Sequence, residues 1–272
     1  MSNPLTRKTD GLLEGISPAL LSHLEESIIP SPHSIDLVRS PLSDFLYRQV
    51  RRTPHVAELF HENSKLSPHS TLQPSASYSD IQKIREWFFT TAYEVPEEDL
   101  QRETPDFRIS VDDLPSPLDR LLAPFAQPGR MADLLYAVDL LVVGEERLFR
   151  VAATKPFLYT ECKLERADHD RLAQAFGFPD ATTLDEINVL LFVGCPWRQM
   201  FFHGPRGYRH TLLDIGRLLW YTEATLGAHG IGSGVVQDFH DTAVDAVAQC
   251  DGLERSVFAA ALIDRPSDSV TD

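Results

Sequence analysis

Arg206, Gly207, Tyr208 and Arg209 stand together in the stretch MFFHGPRGYRHTLLDIGRLLWYTEATLGAHGIG, with His203 just before them and His210 directly after. Two guanidinium groups around a glycine are suited to an oxyanion, such as the phosphate of a cofactor, through charge-assisted hydrogen bonds. They are equally suited to surface ion pairs with acids such as Asp214. Downstream, GAHGIGSG has the glycines of a nucleotide loop but not its order. A dinucleotide fingerprint runs strand, glycine turn, helix, whereas here a helix comes first and a strand afterwards. Glycine still permits close backbone approach to a ligand at this turn.

Other chemistries find less support. His61, His203, His210, His229 and His240 fall into no HExxH or paired metal spacing, and no G-x-S-x-G elbow exists. Cys162, Cys195 and Cys250 are scattered, without a CxxC pair, and their odd number excludes a complete intrachain disulfide framework. Buried thiols in a reducing compartment are the expectation. Trp87, Phe88, Phe89, Trp197 and Trp220 are expected in the core or at a dimer contact, and Glu165 and Asp168 on a solvated helix face.

The elements that must position these groups are written along the chain. The 272 residues are 43% apolar, enough to bury a substantial core, and fit one large domain or one domain with an appendage. With 25 basic and 40 acidic residues the net charge is −15, which repels phosphate backbones and anionic lipid. Neither nucleic acid nor a membrane is therefore an expected partner. The start, MSNPLTRKTDGLLEGISPALL, lacks the apolar core and cleavage site of a secretory signal, so a cytoplasmic location is expected. Residues 1–95 read as a helical extension or small module, broken by the Ser/Pro-rich stretch 66–80. Residues 96–272 read as a mixed β and α body. LLYAVDLLVVG and ERLFRVAA form a hairpin, ERADHDRLAQAF a helix stopped by Gly177, and INVLLFVGCPW a strand covered on both faces. A helix over Leu212–Leu226 follows, with Leu212, Ile215, Gly216, Leu219 and Ala224 on one face and Gly227 as its C′ residue. DTAVDAVAQC gives a short helix and RSVFAAALI a last strand. Helices followed by a mixed body predict an α+β fold.

The segment PRGYRHTLLDIGRLLWYTEATLGAHGIGSGVVQDFHDTAV resembles the C-terminal half of the SagB-type azoline dehydrogenases of the nitroreductase superfamily, which act in the biosynthesis of thiazole- and oxazole-modified peptides. Arg206-Gly207-Tyr208-Arg209, Leu212-Leu213-Asp214-Ile215-Gly216, Leu226-Gly227 and Asp238-Phe239-His240-Asp241 carry the likeness. LLYAVDLLVV and AELFHENSKL add to it upstream. The resemblance implies a homodimer of nitroreductase-like α+β fold, a mixed sheet flanked by helices, with FMN in clefts between subunits. It implies a peptide substrate, a cyclodehydratase partner, and oxidation of an azoline ring by the flavin. Arg102, Arg206, Arg209, Gly232 and Ser233 are then the candidate cofactor residues, with His203 and Tyr208 the candidate acid/base groups.

Several family positions differ here. Pro128-Gly129-Arg130-Met131 replaces a Pro-Ser-x-Gly segment, and Gln101-Arg102-Glu103 an Arg-Arg-Ser element. Phe202 and His203 stand where the family has Lys-Tyr. Phenylalanine is no base, whereas an imidazole titrates near neutrality. Two readings follow: an FMN-dependent dehydrogenase using His203, or a flavin-free nitroreductase-like scaffold that binds peptide within a modifying complex.

Overall fold

The structure, a computed structural model, describes Phe60 and residues 78–91, 108–179 and 181–265. The N-terminal helices expected before residue 78, His61, Arg102 and the acidic run PEEDLQRE lie outside the described residues. The chain divides into two compact units, Met1–Asn63 and Ser64–Asp272, and the elements below all belong to the second.

Seven strands form one sheet: β1 (Arg108–Ser110), β2 (Val138–Val143), β3 (Arg147–Val151), β4 (Phe157–Lys163), β5 (Ile187–Gly194), β6 (Ser233–Val236) and β7 (Ser256–Asp264). Their order is β1-β4-β3-β2-β5-β7-β6, and each neighbouring pair is antiparallel. Among the described residues of this unit the helices are α1 (Tyr78–Thr91), α2 (Leu118–Leu122), α3 (Arg130–Leu134), α4 (Arg166–Ala175), α5 (Thr182–Asp185), α6 (Pro196–His203), α7 (Arg206–Ala228) and α8 (Asp241–Val247).

The middle strands explain the layering. Every residue of β2 is buried, as are all but the first of β5. Alternation along each strand sends Leu140, Val142, Leu190 and Phe192 to one face and Leu141, Val143, Val189, Leu191 and Val193 to the other. The first face is covered by α1, α2, α3 and α7, the second by α4, α5 and α8, giving a three-layer α+β unit. In β7, Ala259 and Ala261 on the first face are small enough for α7 to lie close over the sheet.

Helix α7 differs from its sequence expectation at both ends and around its face. It begins at Arg206, so the RGYR segment is its first turn rather than a preceding loop. It ends at Ala228, two residues beyond the expected Leu226. Gly230 (φ +69°), not Gly227, is the C′ residue, with Ile231 N–H bonded to Leu226 O (3.0 Å) and Gly230 N–H to Gly227 O (3.1 Å). The buried face carries Gly207, Thr211, Ile215, Leu218, Leu219, Thr222 and Leu226, while Leu212, Gly216 and Ala224 are exposed. Helical spacing alone does not distinguish which of two adjacent apolar stripes meets the sheet. Glu165 and Asp168 are likewise more than solvated charge: Asp168 Oδ2 accepts the Glu165 N–H at 3.0 Å and caps α4.

One end of the sheet is tied by buried ions. Asp139 of β2 accepts a 2.7 Å hydrogen bond from Arg198 of α6 and meets Arg255 Nε at 3.2 Å. Glu161 of β4 meets Arg255 Nη2 at 3.0 Å and Arg150 Nε at 3.2 Å. The Arg255 nitrogens approach at ion-pair distance but off the hydrogen-bond axis, so Arg198 supplies the directional bond. The Arg198 guanidinium also lies 4.9 Å over the Phe88 ring of α1 and donates to Tyr136 O at 3.3 Å. Burial alone raises the Asp139 carboxyl, but Arg198, with Arg150 and Arg255, outweighs it and holds Asp139 below the usual carboxylate range. Asp139→Asn leaves the buried Arg198 without its carboxylate and is expected to cost about 3–5 kcal/mol of stability. Urea unfolding of the two proteins checks this; a midpoint within error of wild type contradicts it.

Candidate functional site

The site is built on the elbow between α6 and α7. Strand β5 ends at Gly194, and Cys195 leads into Pro196, which starts α6 with the φ a first helical turn requires. The helix stops at Gly204, whose φ of +54° is a conformation open to glycine, with its N–H bonded to Met200 O at 2.8 Å. Pro205 then opens α7. Two residues on, Gly207 lies so close to the backbone of Gln199 and Met200 that a Cβ there would collide with it. The glycine of RGYR is thus required by the crossing of α6 and α7.

The first α7 amides are already engaged. Gly207 N–H bonds Gly204 O at 2.9 Å and Tyr208 N–H bonds Pro205 O at 3.3 Å. An anion at this end is therefore held chiefly by side chains. The elbow supplies a group of them, because folding back at Gly204 stacks His203 of α6 on His210 of α7. Their ring centroids are 4.4 Å apart with the planes 22° from parallel. The Arg85 and Arg206 charges both act on this pair. Asp214, one turn beyond His210, accepts from Gln199 Nε2 at 3.0 Å and pairs with Arg217 at 3.4 Å. Behind the histidines is an aromatic wall: Phe202 beside Tyr136 (5.9 Å), Tyr136 edge-on to Phe88 (5.2 Å), and Arg85 5.2 Å over the Tyr136 ring.

Electrostatics at the elbow disfavour extra positive charge. Partial burial lowers the His203 pKa from 6.5, and His210, Arg85 and Arg206 lower it further. For His210, burial, Arg206 and Arg85 together outweigh the opposing pull of Asp214. Two imidazolium charges 4.4 Å apart would repel by about 1 kcal/mol in bulk water and about 4 kcal/mol at an effective dielectric of 20. Neutral imidazoles beside fixed arginines can accept a proton and orient an anion. They are not arranged as metal ligands, and no group of three or more His, Cys, Asp or Glu among the described residues can hold a metal ion.

The other candidates are dispersed. Arg209 is half-buried in the first turn of α7. Tyr208 lies about 200° round the helix from Arg206, and its ring meets Phe258 at 6.0 Å. Gly232 and Ser233 follow the far end of α7, about 35 Å from Arg206 by the rise of 23 helical residues. There the Asp264 carboxylate fills the space a Gly232 side chain would need. The thiols are quiet: burial pushes Cys195 and Cys250 each up to about 12. A cavity of about 430 Å³ lined by Gly144, His169, Leu184 and Arg265 opens at the opposite end of the β2–β5 ladder, away from the elbow.

Sequence reasoning did not single out His210, Arg85, Asp214 and Gln199 as one group. The seven-residue spacing of His203 and His210 was visible, but in a continuous helix it separates two rings by two turns. Only the Gly204-Pro205 break brings them face to face. Arg85 comes from a helix more than a hundred residues away and leaves no local signal.

No protein-family model and no curated protein matches the chain. Among solved structures, an Anabaena variabilis protein assigned as a nitroreductase superposes with TM-score 0.53 at 17% identity, over 78% of this chain and 47% of its own. This chain thus spans about half the length of that relative. A Ralstonia eutropha protein with the same assignment covers 64% of this chain and 84% of its own at 15% identity, with TM-score 0.43. The Escherichia coli microcin synthetase McbBCD complex with truncated pro-MccB17 covers 91% and 98% at 12% identity, with TM-score 0.45. The antiparallel sheet flanked by helices is a nitroreductase-like fold. No helix among the described residues is long and apolar enough to cross a membrane.

Two outcomes follow from the elbow. Both histidines have folded pKa values below 6.5, so the native state favours their neutral forms. Above that pH they leave stability unchanged; below it the unfolded chain takes up protons first, and stability falls until the folded values are passed. Thermal melts from about pH 7.5 to about pH 5 should show a smaller loss of Tm in the His203→Gln/His210→Gln double variant than in wild type. Equal losses contradict the assignment. Gly207→Ala should destabilise by about 1–3 kcal/mol through overpacking at the helix crossing, read by denaturant midpoint.

Proposed function

We propose that this chain is an FMN-dependent oxidoreductase that oxidises azoline rings in a ribosomally made peptide, with the α6–α7 elbow as its acid/base centre. The carrying observation is the elbow itself: within a nitroreductase-like fold, it gathers Arg206, Arg85 and the His203–His210 pair. The donor set fits a phosphate monoester at this end, where Arg206 and Arg209 are the holding residues and Arg85 adds positive charge. The Gly232–Ser233 end, with Asp264 against Gly232, does not fit a phosphate and suits only an uncharged part of the flavin. Arg102 remains a proposed contact from the sequence.

Because the two candidate groups lie at opposite ends of α7, one flavin uses both only in a homodimer with antiparallel α7 helices. The outer face of α7 supports such pairing. Trp220 (70% exposed) and Leu213 (67%) flank the bare Gly216, so a twofold axis there sets Trp220 of one copy against Leu212 and Leu213 of the other. The acidic chain suits a basic peptide and a cyclodehydratase partner delivering it.

Azoline-to-azole oxidation removes two electrons and two protons. When bound, FMN would supply the acceptor for both electrons and for one of the two protons, a hydride equivalent in total. His203 takes the ring proton, Arg206 and Arg209 fix the anionic groups, and the Phe202–Tyr136–Phe88 wall excludes water from that side of the imidazoles. Tyr208 is the second acid/base candidate, reached through whatever part of the substrate passes over the Phe258 side of α7.

A second reading, a flavin-free peptide-binding scaffold, is favoured by the Asp264 carboxylate beside Gly232. The visible spectrum of protein mixed with FMN and desalted separates the two. Near-stoichiometric flavin bands are expected, reduced roughly tenfold or more in affinity by Arg206→Ala. An azoline peptide should become two hydrogens lighter per ring in the loaded enzyme. A folded dimer retaining no flavin favours the scaffold.

A further inference from the structure

We propose that His210 is a positioning residue for His203: stacked on it across the α6–α7 elbow, it fixes the ring plane and makes the pair accept one proton rather than two. This rests on reading His203 as the proton acceptor of the site.

The geometry gives His203 a defined cage. His210 covers one ring face at 4.4 Å, and Phe202 approaches at 6.1 Å with its plane 60° away. Among the described residues no carboxylate, the usual means of fixing an imidazole, is bonded to this ring, and stacking orients it instead. The charged and titratable groups that act on the pair among the described residues come from two helices. Helix α1 contributes Arg85, which also covers the Tyr136 ring. Helix α7 contributes Arg206, His210 and, beyond His210, Asp214, whose carboxylate is engaged by Gln199 of α6 and Arg217. Two permanent cations face the rings against one acid already occupied. A first proton on the pair is tolerated, since an imidazolium stacks on a neutral imidazole. A second would add like charge at stacking distance. One stacked histidine thereby keeps the other available as an acceptor at neutral pH.

The test is a ¹³C-histidine NMR titration of the full chain, with signals assigned from His203→Gln and His210→Gln. His210→Phe keeps a stacking ring but removes its proton site. The His203 midpoint should rise by about half a pH unit or more in His210→Phe. It should rise also in His210→Gln, where the His203 signal should broaden as the ring loses its stacking partner. Should His210→Gln fail to fold, the phenylalanine variant alone decides. A His203 midpoint equal in wild type and His210→Phe overturns the role of His210. In flavin-loaded enzyme the acid limb of the pH–rate profile should move in the same direction as the NMR midpoint. A shifted midpoint without any flavin-dependent turnover in wild type instead overturns His203 as acceptor, leaving the coupling intact.

Discussion

The Asp139–Arg198 pair is the constraint on which the rest of this unit depends. A carboxylate near the end of a buried strand carries a large desolvation penalty, offset here chiefly by Arg198 of α6, which reaches it with a 2.7 Å bond, and further by Arg150 and Arg255. That bond fixes α6 against β2. The same guanidinium covers Phe88, so α1 is held at the same end of the sheet. Arg255 and Glu161 extend the network to β7 and β4, joining four strands and two helices around five charged side chains. Replacing the pair by apolar residues need not weaken the fold. What the ions supply is a direction, since an arginine fork accepts few geometries.

That direction positions the elbow. With α6 fixed, Gly204 and Pro205 turn the chain, and Gly207 lets α7 approach to backbone contact. The histidine stack is then a consequence of two helices meeting at a glycine rather than of any attraction between the rings. Arg85 reaches the same place because Phe88 and Phe89 anchor α1 on Tyr136. The chemical character of the site, cationic within a strongly acidic chain, therefore comes from packing decisions made around it.

The nitroreductase-like fold sets a framework without dictating its chemistry. Here the elbow keeps positive charge and neutral imidazole together, while the opposite end of α7 presents Asp264. This division gives the two ends different suitability for an anionic group, and makes the pairing of two chains decisive for any ligand that needs both.

The sequence by itself determined the central strands β2, β3, β5 and β7 and the helices α4, α7 and α8, but not β1, β4 or the short helices between them. Continuous apolar runs such as VDLLVV and INVLLFVG have no stable place except a covered sheet, and the 3.6-residue rhythm of α7 is local. It also marked RGYR and His203 as chemically notable. It did not determine which face of α7 is buried, since two apolar stripes compete and only the sheet beneath selects Ile215, Leu218 and Leu219. Nor did it reveal that Gly207 serves a helix crossing, that Gly232 and Arg206 stand a helix length apart, or that His210, Arg85 and Arg206 gather at His203. Those relations join residues distant in sequence, and distances between such residues exist only once the chain has folded.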